Sequence, residues 1–315
     1  MFDAEAFVNE EVKRIRDTIR GKAIIACSGG VDSTVAAALV SKAIGDRLLT
    51  VYVDNGFMRK GETREVEDLF KRVGMNYLLV DASDDFFSAM IGIIDPEEKR
   101  KIIGNQFIRI FEREAKKYGA SYLVQGTIAP DWIESGDGTR GKIKTHHNVG
   151  GIPDDMDLEL IEPLRDLYKD EVRMIARYLG VEVAERQPFP GPALAVRIIG
   201  EVNRESVAIV REACAIVEEE MERAAKAGTM ILPWQYFAVL LPSQTVGVRD
   251  SARAYGRTIA VRAVESIDGM DAAYSKIPHE ILDRISTRIT DELNDSINRV
   301  VYDITNKPPA TIEYE

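Results

Sequence analysis

Residues 28 to 34 read Ser-Gly-Gly-Val-Asp-Ser-Thr, and each residue type in that run suits the binding of a phosphate. Gly29 and Gly30 let the backbone turn tightly and bring its N–H groups close to a ligand. The preceding run Lys22 to Cys27 (KAIIAC) reads as a buried strand, and the pattern from about Ser33 to Ile44 reads as a helix. The loop therefore sits at a helix N-terminus, where partial positive charge favours anions. Ser28, Ser33 and Thr34 add hydroxyl donors, and Asp32 can hold Mg²⁺ against phosphate oxygens. The competing reading is a strand-to-helix turn whose glycines make the bend and whose serine caps the helix. The pattern GxxxxGK[ST] is absent, which disfavours transfer of a terminal phosphate.

Three further groups carry chemistry. Asp54-Asn55-Gly56 ends the second apolar run, at the strand edge where open parallel sheets bind nucleotides; it is either part of that site or a plain β-turn. Asp131 and Glu134 lie three apart in GTIAPDWIES, so on a helical turn both carboxylates project to one side, to orient Mg²⁺, to take a proton, or to face the positive end of a helix. Beyond them, residues 135 to 157 lack periodicity and are too long for an ordinary connection, which suits a lid. That segment carries Lys142, Lys144, His146 and His147, able to close over a triphosphate and neutralise departing pyrophosphate, or else to form a solvated polar loop. Adjacent histidines make a poor metal pair because their side chains diverge. Gly136, Gly138 and Gly141 spell GxGxxG, but no strand precedes them, so a dinucleotide reading lacks its context.

The elements that must position these groups follow from periodicity. Short apolar runs at 22–27, 48–53, 77–80 and 122–124 alternate with helical patterns at 33–44, 62–73 and 97–118, the signature of an α/β unit with an open parallel sheet and helices on both faces. A helix over Lys169–Leu179 closes this half, with Val172, Ile175, Ala176 and Leu179 on one face. Gln187-Pro-Phe-Pro-Gly-Pro then excludes helix or central strand and marks the expected boundary between residues 1–187 and 188–315. The second part reads as a smaller α+β domain: a helix from about Asn203 to Ala227, short strands at 237–241 and 258–264, a helix at 279–291 and a strand at 299–302.

Composition narrows the function. A net charge of −11 over 315 residues, with a pI near 5.0, argues against coating of nucleic acid, which rests on neutralising phosphates with Lys and Arg. The two cysteines, Cys27 and Cys214, are far apart and lack metal or disulfide spacing, which fits a reducing cytoplasm. Cys27 ends a buried strand with no partner base and reads as core. Neither a signal peptide nor a membrane span of roughly 20 apolar residues is expected.

Taken together, SGGVDST, VDNGFMRKGE, EEKRKIIGNQF, QGTIAPDWIES, KTHHNVGG, EPLRDLYKDEVR, PFPGPALAVRIIGEV and RVVYDITNKPPATIEYE resemble the ATP pyrophosphatase and dimerisation domains of GMP synthetase, within the PP-loop superfamily. The likeness runs from about Gly21 to the last residue. It implies an adenine nucleotide alpha hydrolase-like sheet domain followed by a dimerisation domain. It also implies ATP as substrate, and AMP transfer to O2 of XMP before ammonia replaces that oxygen. Ser28 to Thr34, with Asp54, would meet ATP, and Asp32 would hold Mg²⁺. Asp131, Glu134, Lys144, His146 and His147 would form the closing catalytic segment. Lys307 and Thr311 would meet the XMP phosphate and Glu313 its base, with Arg100 and Asp250 as secondary XMP contacts. No GxCxG nucleophile elbow is present, so the chain resembles the separate synthetase subunit, supplied with ammonia by a glutaminase partner and paired as a homodimer through its C-terminal domain. Two rivals stand beside this reading. A tRNA-thiolating enzyme on the same fold calls for reactive cysteines and a basic face, and a nucleotide sensor would not require charged groups in the lid.

Overall fold

The computed structural model describes residues 2–130, 158–181, 187–249, 251–267 and 269–315. The chain divides into two compact units, the first of Met1–Asn55, Gly61–Ala82 and Gly104–Arg186, the second of Gly56–Lys60, Ser83–Ile103 and Gln187–Glu315. The last junction falls at the proline-rich segment, and two short earlier segments are counted with the second unit. The reason for the first of these is local: Arg211 donates to the carbonyls of Gly56 (2.6 Å) and Met58 (2.8 Å), and Phe57 packs edge-on against Phe87 at 5.0 Å.

The first unit is built on β1 (Ala23–Ala26), β2 (Leu48–Asp54), β3 (Tyr77–Asp81), β4 (Tyr122–Val124) and β5 (Glu159–Ile161), all parallel in the order β3-β2-β1-β4-β5. Leu48 to Val53 are all buried, which is why the central strand β2 reads as a continuous apolar run rather than as alternation. Helices α1 (Ala4–Thr18), α2 (Val31–Ile44) and α3 (Glu62–Val73) precede β3. After α4 (Ser83–Ala89), α5 (Pro96–Tyr118) returns the chain past β1 to β4, and α6 (Lys169–Tyr178) follows β5. Right-handed crossovers in a strand order that reverses after β3 place helices on both faces. The reversal makes the carboxyl ends of β1 and β4 the switch point of the sheet, where such folds bind ligands.

Helix α1 forms in a segment dense in charges. Its fold follows from Val8, Val12, Ile15 and Ile19, spaced along one face and all buried, and from Asp3, whose side chain caps the helix at Ala6 N.

In the second unit, α7 (Arg204–Lys226) lays Val207, Val210, Cys214, Val217 and Met221 against a sheet of β6 (Gln235–Arg249), β7 (Ala252–Glu265), β8 (Ala273–Tyr274) and β9 (Ile297–Asp303), with α8 (His279–Glu292) beside α7. β6 and β7 form an antiparallel hairpin, and β9 joins β7 in parallel. The expected strands at 237–241 and 258–264 are therefore only the buried half of a hairpin with arms of 15 and 14 residues. Past a register shift between Leu241 and Gln244 the arms are largely exposed, so polar residues and glycines occupy positions that apolar periodicity cannot reveal.

Candidate functional site

The loop after β1 enters α2 through backbone geometry. Gly29 has φ +81°, and a Cβ there would lie 2.5 Å from Val66 Cγ2 of α3, so both conformation and space require glycine. Gly30 is the N-cap of α2, with no side-chain cap, and Thr34 N donates to Gly30 O at 3.1 Å. The N–H groups of the first turn therefore have no partner within the helix and face the loop. After β4, Gly126 closes on the same turn: a Cβ on it would stand 2.9 Å from Ser33 N and 3.0 Å from the Asp32 carbonyl carbon. The two loops at the switch point thus touch backbone to backbone.

Ser28 is exposed and accepts from Gly30 N at 3.4 Å, and Ser33 Oγ donates to Gly30 O at 3.3 Å. Thr34 is buried, with its hydroxyl 3.6 Å from Cys27 Sγ. Burial pushes the Cys27 thiol above its ordinary range, so it remains a protonated core residue. Asp32 lies in the first turn of α2. Its Oδ2 accepts from Lys169 Nζ at 2.6 Å, while its shielded Oδ1 has no hydrogen-bond partner. Val31 starts the helix. Asp54, at the end of β2, accepts from Thr63 Oγ1 at 2.6 Å.

Lys169 was not singled out from sequence, because nothing local marks it; 137 positions separate it from Asp32. It opens α6, and its half-exposed ammonium places a positive charge directly beside the phosphate loop. Asp131, Glu134, Lys144, His146 and His147, the lid at 135–157 and Asp250 lie outside the described residues.

The second cluster lies in the tail of the second unit. Lys307 pairs with Ala272 through its main chain (3.0 and 2.7 Å) and donates Nζ to Gly269 O at 2.7 Å. Thr311 Oγ1 donates to Glu313 O. Glu313 takes a two-pronged bond from the buried Arg197, Nε to Oε2 at 3.0 Å and Nη2 to Oε1 at 2.8 Å, and a third from Gln235 Nε2 to Oε1 at 2.8 Å. Arg100 donates to Glu315 O, which joins it to the same tail. Lys307, Thr311 and Glu313 thus lie in one tail segment of the second unit, and Arg100 of α5 reaches that tail at its last residue.

Arg197, Arg262 and Lys99, none of which was a sequence candidate, are buried here. A usable signal did exist: AVRII and AVRAV each set one arginine inside an apolar run, where a cation must find a buried partner. Arg262 donates to Thr305 O and to Thr311 O (3.0 Å) and pairs with Asp303 Oδ2 at 3.1 Å. Burial tends to raise the Asp303 carboxyl, but hydrogen bonds from Thr305 and Tyr314 and the Arg262 charge outweigh it and hold the carboxyl below its usual range.

A parallel sheet whose first strand leads into SGGVDST, with an anion-accepting helix N-terminus and one shielded, unpartnered carboxylate oxygen, defines an ATP-using synthetase of the PP-loop class. Comparison with known proteins agrees: the family model described as NAD synthase matches residues 2–129, and the one described as GMP synthase C terminal domain matches residues 220–314. The chain is 61% identical, over 98% of each chain, to a Pyrococcus horikoshii protein named as one of the subunits of glutamine-hydrolyzing GMP synthase. It is 54% identical to the protein of the same name from Methanocaldococcus jannaschii over the whole of both. The solved structure of NMN synthetase from Francisella tularensis covers 73% of this chain, and 89% of its own, at TM-score 0.47 and 14% identity. The chain belongs to this family of glutamine-hydrolyzing GMP synthase subunits, ligases of GMP biosynthesis.

Proposed function

We propose that the chain transfers AMP from ATP to O2 of XMP, releasing pyrophosphate, and that ammonia then attacks C2 and expels AMP to leave GMP. O2 is a poor leaving group as hydroxide; bonded to AMP it departs as a stabilised phosphate. The observation that carries this reading is Asp32, whose Oδ1 is shielded and unpartnered at the end of a glycine loop made for phosphate. A hard oxygen donor in that position fits Mg²⁺, and among the described residues no group of three or more acidic, His or Cys side chains offers another cation site. Mg²⁺ bound there would neutralise phosphate oxygens, with the rest of its ligands from ATP and water.

Around it, Ser28, Gly29, Gly30, Val31, Ser33 and Thr34 grip pyrophosphate, and Lys169 exchanges Asp32 for a phosphate oxygen. Asp54 binds the nucleoside end. Asp131, Glu134, Lys144, His146 and His147 close the site and carry the charge that develops on pyrophosphate. Lys307 and Thr311 meet the XMP phosphate, Glu313 its base, and Arg100 and Asp250 support them, so that 188–315 with 83–103 is the acceptor domain. A glutaminase partner supplies ammonia, consistent with relatives named as one subunit of a glutamine-hydrolyzing enzyme. The exposed Val246, Val248 and Tyr255 of the hairpin suit a homodimer contact. The acidic charge fits no nucleic-acid partner, and no helix among the described residues is long and apolar enough to cross a membrane. We place the chain in the cytoplasm on its two unpaired, buried cysteines.

The test is direct. The purified chain with ATP, Mg²⁺, XMP and an ammonium salt should yield GMP, AMP and pyrophosphate in equal amounts, and with glutamine in place of ammonium it should yield none. Release of ADP and phosphate, or equal activity with glutamine, would refute the scheme.

A further inference from the structure

Three basic side chains are fully buried in the second unit, and all three are directed at its last thirteen residues. Lys99 reaches Ile198 O (2.8 Å) and the Glu315 carboxylate, Arg262 reaches Thr305 O, Thr311 O and Asp303, and Arg197 reaches Glu313. Stability alone is a weak reason for such an arrangement, because desolvation of a buried pair commonly cancels its attraction. The Lys99 and Glu315 pair shows this: burial pushes the lysine down and the carboxyl up despite their contact.

Arg197 is the most specific of the three. Its guanidinium lies 4.1 Å from the ring centroid of Phe237 and 5.2 Å from that of Phe189, so aromatic faces hold its plane. Its fork then sets the plane of the Glu313 carboxylate through both oxygens. Oε1 already accepts two hydrogen bonds, from Arg197 and Gln235, whereas Oε2 accepts one. A carboxylate has about four acceptor positions. The one with capacity to spare is Oε2.

We propose that Arg197 is a positioning residue for the acceptor nucleotide, fixing Glu313 so that Oε2 is the atom offered to an N–H of the purine base, within a tail whose backbone Arg262 and Lys99 hold. The proposal rests on the reading that Glu313 meets the base. Arg197 itself does not touch the nucleotide. It acts by keeping a charged, oriented acceptor in place, and a base without an N–H at that edge would leave Oε2 desolvated and unpaired.

The test uses the full chain with ammonium salt, Mg²⁺ and saturating ATP, and compares Arg197→Lys, Glu313→Gln, Gln235→Leu and the Arg197→Lys/Glu313→Gln pair. Arg197→Lys keeps the charge but loses the fork, and should raise KM for XMP about tenfold to a hundredfold, with KM for ATP within about twofold. The double variant should be no worse than the more impaired single one, since both break one contact. Gln235→Leu, which removes one of three bonds to Glu313, should raise KM for XMP about tenfold and decides the matter if the arginine variant does not fold. If Arg197→Lys lowers only kcat and the melting temperature, or if the two effects multiply, the positioning role is wrong. If Glu313→Gln raises KM for XMP but neither Arg197→Lys nor Gln235→Leu does, the proposal falls while the reading of Glu313 survives. If Glu313→Gln leaves KM for XMP unchanged, both fall.

Discussion

On the proposed function, the loop at 28–34 and the tail at 303–315 face the same task, presenting polar groups to a phosphorylated ligand, and they are built for it in opposite ways. The loop uses backbone N–H groups from one short stretch and needs little beyond glycine geometry and one carboxylate. The tail has no helix N-terminus; its polar groups are side chains braced by buried cations drawn from positions 99, 197 and 262. A site made of backbone tolerates many side chains but almost no added Cβ. A site made of braced side chains is sensitive to distant core substitutions that never meet ligand.

The largest expected effect sharpens this contrast at the loop. Asp32→Asn removes charge but little volume, so Mg²⁺-dependent pyrophosphate release should fall by several kcal/mol in the transition state while the melting temperature stays nearly unchanged. Normal turnover at limiting Mg²⁺ would show that Asp32 has another task. Next comes the tail's brace. Arg262→Met leaves Asp303 and two carbonyls without their partner and should destabilise the second unit by about 3–5 kcal/mol in denaturant titration. A loss under about 1 kcal/mol would mean that the tail holds itself. Lys169→Met frees Asp32 Oδ2 and should raise KM for ATP about tenfold, with KM for XMP unchanged. A smaller KM for ATP would reveal the lysine as a competitor for Asp32 rather than a phosphate ligand.

The smallest effect concerns pH. Asp303 is held below its unfolded value, which lies near 3.9, so its contribution is fully present above that value and is lost as pH falls through the lower folded one. Asp303→Asn should therefore flatten the acid limb of stability below about pH 4. An unchanged acid limb in thermal melts across that range would assign acid sensitivity to other carboxylates.

How much of this was legible in the sequence follows the same division. β1, β2 and β4 were readable because largely buried strands must be apolar throughout, the half-buried edge strand β3 was readable because its run YLLV is itself apolar, and the loop was readable because its seven residues are contiguous. Lys169, Arg197 and Arg262 were not, because their partners lie 137, 116 and 49 positions away, and pairing at such distance leaves no period. The outer half of the β6–β7 hairpin escaped for a different reason: solvent on its surfaces removes the alternation that marks a half-buried strand. Lys307, Thr311 and Glu313 came from family resemblance rather than from physical pattern, since KPPATIE alone reads as an exposed turn.

The chain passes between its two units five times, after residues 55, 60, 82, 103 and 186. A protease nick at the proline-rich junction would therefore not release a self-sufficient C-terminal piece. Residues 188–315 expressed alone would leave Lys99 and Phe57 behind, stranding the Glu315 carboxylate and the carbonyl-binding side of Arg211. In protein engineering the tail is consequently not a cassette: transplanting it to another synthetase means carrying residues 56–60 and 83–103 as well, and gene fusions or recombination at residue 187 alone should yield insoluble or unfolded products.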